Sequence, residues 1–99
     1  MTEADVRDAL HEVIDPELGV NIVDLGLVYG IDIEDDGRSV RVTMTMTSPA
    51  CPLRDYLQDL VESTVTSRLP EVQRVNVEIV TDSPWTEELM SDAARRQLA

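Results

Sequence analysis

Val40-Arg41-Val42-Thr43-Met44-Thr45-Met46-Thr47-Ser48-Pro49-Ala50-Cys51-Pro52-Leu53 carries the chain from one periodicity into another. Val40, Val42, Met44 and Met46 alternate with Arg41, Thr43, Thr45 and Thr47, the two-residue period of a half-buried strand. Beyond the join, Leu53, Leu57, Leu60, Val61, Thr64 and Val65 recur at helical spacing. The pattern predicts a strand over Ser39 to Thr47 and a helix from Pro52 to about Leu69, halted by Pro70. Cys51, the only cysteine, falls at the expected N-cap, with Pro52 at the first helical position. A helix start offers free backbone N–H groups and the positive end of the macrodipole. Both favour thiolate over thiol, so Cys51 can serve as a nucleophile or a soft-metal ligand. An inert cysteine that only packs is the competing reading.

Working outward, the preceding strand is Leu27 to Ile33, with Tyr29, Ile31 and Ile33 on one face. Asp35-Asp36-Gly37-Arg38 joins the two strands as a hairpin, and Asp36-Gly37 is a strong turn signal. Upstream, Thr2-Glu3-Ala4-Asp5 resembles a capping box, and Val6, Ala9, Leu10, Val13 and Ile14 form the apolar stripe of a first helix. Downstream, Val75, Val77 and Ile79 alternate with Arg74, Asn76 and Glu78 as a third strand, broken by Thr81-Asp82-Ser83-Pro84. Trp85 reads as an anchor for the tail, and Leu89 to Leu98 as a terminal helix capped by Ser91. A hairpin followed by a helical crossover gives an α+β two-layer sandwich in the order α-β-β-α-β-α. Its small mixed three-stranded sheet carries the main helices on one face.

Composition sets the class. The 99 residues suffice for one domain, spanning 1–99, with one modest core. Hydrophobic residues make up 42% and aromatics 3%, with no Phe, so Val, Ile, Leu and Met must build that core. No apolar run approaches the roughly 20 residues of a membrane span. The acidic start lacks the basic and apolar regions of a signal peptide. One cysteine cannot form an internal disulfide, which suits a reducing cytoplasm. Twenty Asp plus Glu oppose 8 Arg and no Lys, a net charge of −12. That surface repels phosphate backbones and anionic lipid, so neither nucleic acid nor membrane is an expected partner. The acids run along the whole chain, which points to adaptation to a salty cytoplasm rather than to one basic partner.

Several carboxylates precede the first strand. Asp15-Pro16-Glu17-Leu18-Gly19 ends the first helix in a turn, because a residue before proline avoids the helical region. Asp24 stands among apolar residues in Asn21-Ile22-Val23-Asp24-Leu25-Gly26, where a carboxylate either caps a turn or faces a site. His11 lies beside the first apolar stripe; with no second His, a site built on histidines is ruled out. Arg54, in the first turn of the second helix, reads as a surface residue unless it faces an anion such as the Cys51 thiolate.

Asp15-Pro16-Glu17-Leu18-Gly19, Ile22-Val23-Asp24-Leu25-Gly26-Leu27-Val28-Tyr29, Thr47-Ser48-Pro49-Ala50-Cys51-Pro52 and Pro84-Trp85 with Met90-Ser91 resemble the SufT/PaaD-like iron–sulfur cluster assembly domain. The resemblance spans nearly the whole chain in order. It implies a small α+β domain that helps mature iron–sulfur proteins, with the cysteine as key residue. Carried over by motif, the implied site is Cys51 with Thr47 and Ser48, joined by Asp15, Glu17 and Asp24. PaaD-type members carry a cysteine-rich C-terminal extension; the chain ends at Ala99 without one, which argues against their accessory role in multicomponent oxygenation.

The chemistry favours a carrier or adaptor over an enzyme. Iron–sulfur clusters are held by several thiolates, often four, and one cysteine per chain cannot complete such a site. It can supply one ligand in a homodimer, or hold a cluster or iron transiently while a scaffold or client apoprotein supplies the others. Among single-cysteine thiol enzymes, a hydrolase would need an imidazole beside Cys51, with His11 the sole candidate, and a dithiol reductase a second cysteine. Counting cysteines leaves a one-cysteine peroxidase open. So does a pure interaction module in which Cys51 is incidental.

Overall fold

Thr2 opens the first helix, α1 (Glu3–Leu10), in a capping box: its hydroxyl accepts from the Asp5 amide, and Asp5 Oδ2 accepts from the Thr2 amide. Both bonds satisfy donors that a helix start leaves without intrahelical partners. The computed structural model describes residues 2–46, 51–80 and 85–98, apart from the side chains of Cys51, Pro52 and Glu87. Val6, Ala9 and Leu10 are fully buried, and Val13 continues their stripe past the helix end. Ile14 departs from it and is 43% exposed. By that point the chain has left the helix and forms an isolated antiparallel bridge with Asn21, so helical period no longer governs its direction.

The sheet has the order β1-β2-β3, with β1 (Val28–Glu34), β2 (Ser39–Met44) and β3 (Arg74–Ile79). β1 pairs antiparallel with β2 and β3 parallel with it, so the sheet is mixed as expected. The turn between β1 and β2 puts Asp35 and Asp36 at φ 52° and 54°, the left-handed region that Asp tolerates better than most residues. β1 does not keep a strict two-residue period. Pairing passes from Val28↔Met44 to Gly30↔Thr43, a bulge that lets Val28 and Ile31, three apart, both be buried. Tyr29 and Ile33, placed by alternation on one face with Ile31, are half-buried, and Ile33 packs against the core.

After β2 the chain crosses through α2 (Cys51–Arg68) to reach β3. Leu57, Val61 and Val65, spaced by four, are fully buried against Val40, Val42 and Met44 of β2 and the α1 stripe. α2 ends at Arg68, ahead of Pro70, as the proline requires. Arg68 also joins the two helices, pairing with Asp8 at 3.4 Å and with Glu12. The opposite face of the sheet presents exposed Arg41, Arg74, Asn76 and Glu78, so the fold is the two-layer α+β sandwich read from the sequence. The buried core is built of Val, Leu, Ile, Met and Ala. A short 3-10 turn, Glu87–Leu89, leads to α3 (Asp92–Leu98), where Ser91 Oγ accepts from the Ala94 amide as the expected cap. No described helix is long and apolar enough to cross a membrane.

Candidate functional site at one end of the sheet

The strand directions gather three segments at one end of the sheet. β1 begins where β2 and β3 finish, and polar bonds tie the three together. The Thr45 amide donates to the Leu27 carbonyl at 2.9 Å, the Val80 amide to the Met44 carbonyl at 2.9 Å, and the Thr45 hydroxyl to the Val80 carbonyl at 3.0 Å. β2 itself stops at Met44 rather than at Thr47, although Thr45 still bonds across to Leu27. From Met46 the chain reaches Cys51 within five residues, a span of at most about 18 Å. Cys51 is the first residue of α2, one position inside the helix relative to the N-cap expected from the sequence. Thr47 and Ser48, the other two site residues expected from that motif, lie outside the described residues, as does the Thr81-Asp82-Ser83-Pro84 break.

Asp24 sits in the turn that leads into the same end. Asn21 holds it: Asn21 Oδ1 accepts from the Asp24 amide at 2.9 Å, and Asn21 Nδ2 donates to Asp24 Oδ2 at 2.7 Å. Asp24 therefore completes a turn and still leaves a partly exposed carboxylate, so capping and facing a site are compatible here. Its Oδ1 lies 4.0 Å from His11 Nε2, and His11 Nδ1 lies 3.0 Å from the Arg7 carbonyl. That neighbourhood has no signal in the sequence. Asn21, three residues ahead of an aspartate, is a readable signal for a side-chain-closed turn.

The C-terminal segment closes over this turn. Trp85 Nε1 donates to the Leu25 carbonyl at 2.6 Å, which bears out the anchor reading, and the Ser91 amide donates to the Asp24 carbonyl at 2.7 Å. Gly26, which follows Leu25, has φ +78° and faces the Leu89 backbone so closely that a Cβ would overlap its carbonyl.

Asp15 and Glu17 occupy the neighbouring turn. Asp15 is fully buried, and its Oδ1 accepts from the amides of Glu17 at 2.8 Å and Leu18 at 3.3 Å. Glu17 is exposed at the tip. The two turns are stitched by the Ile14–Asn21 bridge and by the Ile22 amide donating to the Val13 carbonyl at 2.9 Å. Among the described residues, no three His, Cys, Asp or Glu side chains converge to hold a metal ion. Those side chains do not make a closed site for a resident cluster.

A family model described as an iron–sulfur cluster assembly protein matches residues 3–79. The chain belongs to this family. A Bacillus subtilis protein named as the Fe–S protein maturation auxiliary factor YitW is 47% identical over 90 residues, covering 91% of this chain and 86% of that protein. A Staphylococcus aureus protein named as the Fe–S protein maturation auxiliary factor SufT is 47% identical over 83 residues, covering 84% of this chain and 92% of its own. A crystal structure of a domain of unknown function from Bacillus anthracis superposes with a TM-score of 0.90 at 41% identity, covering 97% of this chain and 90% of that one. The family assignment agrees with the resemblance carried by the loop motifs.

Proposed function

We propose that this protein is a non-catalytic maturation factor that holds an iron–sulfur cluster, or iron, transiently and passes it to client apoproteins through Cys51. The observation that carries the reading is the start of α2 at Cys51, five residues along the chain from Met46 at the sheet end toward which the Asp24 turn also leads. Relatives named as auxiliary maturation factors support an assembly role rather than a catalytic one. The cluster is cargo here. Backbone N–H groups in the first turn favour the thiolate, the form that binds soft metal. Thr47 and Ser48 neighbour it in sequence, and Asp24 and Glu17 would add oxygen donors from the preceding loop, a harder set that binds a sulfide-bridged cluster weakly, while Asp15, buried under its own turn amides, would shape that loop.

Weak, incomplete ligation is what a transfer factor needs. Transfer is ligand exchange: a client thiolate forms a bond to iron as the Cys51 sulfur–iron bond breaks, with no net oxidation or reduction, and the client's thiol proton passes to solvent. The remaining ligands come from a second copy of this chain, from a scaffold, or from the client. The setting proposed for this chemistry is a reducing cytoplasm, where a lone thiol stays reduced.

Anaerobic reconstitution with iron and sulfide, read by absorption and native mass spectrometry and followed by transfer to an apo-ferredoxin, tests the reading. Metal is expected in a dimer or partner complex, and Cys51→Ala is expected to abolish it. A stable cluster-loaded monomer without added thiol would refute shared ligation. Transfer that survives in Cys51→Ala would remove the cysteine from the mechanism.

A further inference from the structure

β3 is an edge strand with a built flank. β2 pairs along one side of it, and among the described residues no strand pairs along the other. Over that outer edge runs a groove lined by Gln58, Asp59 and Glu62 of α2 and by Val75, Asn76 and Val77 of β3. Val75 and Val77 are only half-buried, so the groove floor is partly apolar, while Asp59 and Glu62 are exposed above it. Both ionisable residues in the lining are acids, and Asp55, also exposed, extends the acidic row by one helical turn.

An open strand edge offers unpaired N–H and C=O groups, and its neighbouring side chains then choose the partner. We propose that this groove docks an extended segment of a partner protein that pairs with β3 and carries Lys or Arg at alternate positions. Alternate side chains of an added strand point to the α2 side. Their aliphatic stems would lie on Val75 and Val77 while the cationic heads reach Asp59 and Glu62. A second copy of this chain fits poorly here, because each groove would bring its acids to a molecule of net charge −12. The groove acids sit eight and eleven residues along α2 from Cys51, roughly 12 to 17 Å. Docking there leaves the start of α2 uncovered.

The probe is an acetylated, amidated peptide of about nine residues alternating Lys and Thr, long enough to overlap a strand of ordinary length. Titration at low salt should give saturable binding, with slowed amide exchange along Val75 to Ile79. The double variant Asp59→Arg/Glu62→Arg should weaken binding about tenfold or more, the loss of two exposed ion pairs with added repulsion. Asp32→Arg/Glu71→Arg changes net charge equally but lies off the groove, and should weaken it far less. Cys51→Ser should bind like the native protein, so this docking and the cysteine mechanism can fail separately. Equal weakening in both double variants, no protection along β3, or no binding would overturn the proposal. Protection of β3 that grows with protein concentration without peptide would overturn it in favour of a second copy.

Discussion

Gly26 and Gly19 both take left-handed φ values, +78° and +71°, but their surroundings separate them. A Cβ at Gly19 meets nothing within 4 Å, so Gly19→Ala should carry only the conformational strain, about 1–2 kcal/mol. A Cβ at Gly26 meets backbone of the Glu87–Leu89 turn, which cannot rotate away as a flexible side chain would. Gly26→Ala should therefore lose about 2–4 kcal/mol, strain plus overpacking. Urea unfolding followed by Trp85 fluorescence measures both; equal losses would mean the contact between the Gly26 loop and the Leu89 turn contributes nothing. Cys51 makes a different residue-scale prediction. As the first residue of α2, it should alkylate with a midpoint below about 8.5, the ordinary thiol value. A midpoint at or above that value would withdraw the electrostatic case for a thiolate, whatever Cys51→Ser does to function.

At the scale of elements, locally specified features are legible in the sequence and those made by distant contacts are not. The Thr2 capping box, the Asp36-Gly37 turn, the stop of α2 before Pro70 and the Ser91 cap each depend on residues within a few positions of one another. The bulge at Val28, the exposure of Ile14 and the close approach of Gly26 to Leu89 depend on which segment arrives from elsewhere. The same division runs through the candidate site. The turn around Asp24 is readable from its residue types, but its bond to Ser91 and its nearness to His11 are not. The loop motif offers Asp15 as a site carboxylate, and what the fold makes visible is its burial under two turn amides. The C-terminal segment acts as an element through Trp85 and Ser91, which both bind backbone of the Asp24-Leu25 turn. Trp85→Phe keeps most of the apolar contact but leaves the Leu25 carbonyl without its indole donor. It should cost about 1 kcal/mol and speed amide exchange at Ser91. Unchanged exchange there would show that α3 holds its place without the indole bond.

For the whole molecule, charge governs what lies outside the core. Twenty acids face eight arginines, so at most eight could be paired one to one and the remainder repel. The described ion pairs, among them Arg7–Glu3 at 3.2 Å and Arg68–Asp8 at 3.4 Å, are exposed and contribute about 0–1 kcal/mol each. Salt screens these attractions and the net repulsion alike, and the repulsion is the larger of the two because acids so outnumber cations. The Debye length falls from about 30 Å at 0.01 M, comparable with the 40 × 26 × 20 Å extents of the molecule, to 3 Å at 1 M, less than the spacing of neighbouring side chains. Raising KCl from 10 mM to 1 M should therefore raise the melting temperature, by about 8–16 °C if screening recovers roughly 2 kcal/mol in a domain of this size. Potassium chloride is chosen over sulfate so that strengthened apolar burial does not mimic the effect. A melting temperature that stays flat or falls over this range would mean that the acids are already balanced in the native state. Their number would then need a cationic partner, rather than a salty medium, to explain it.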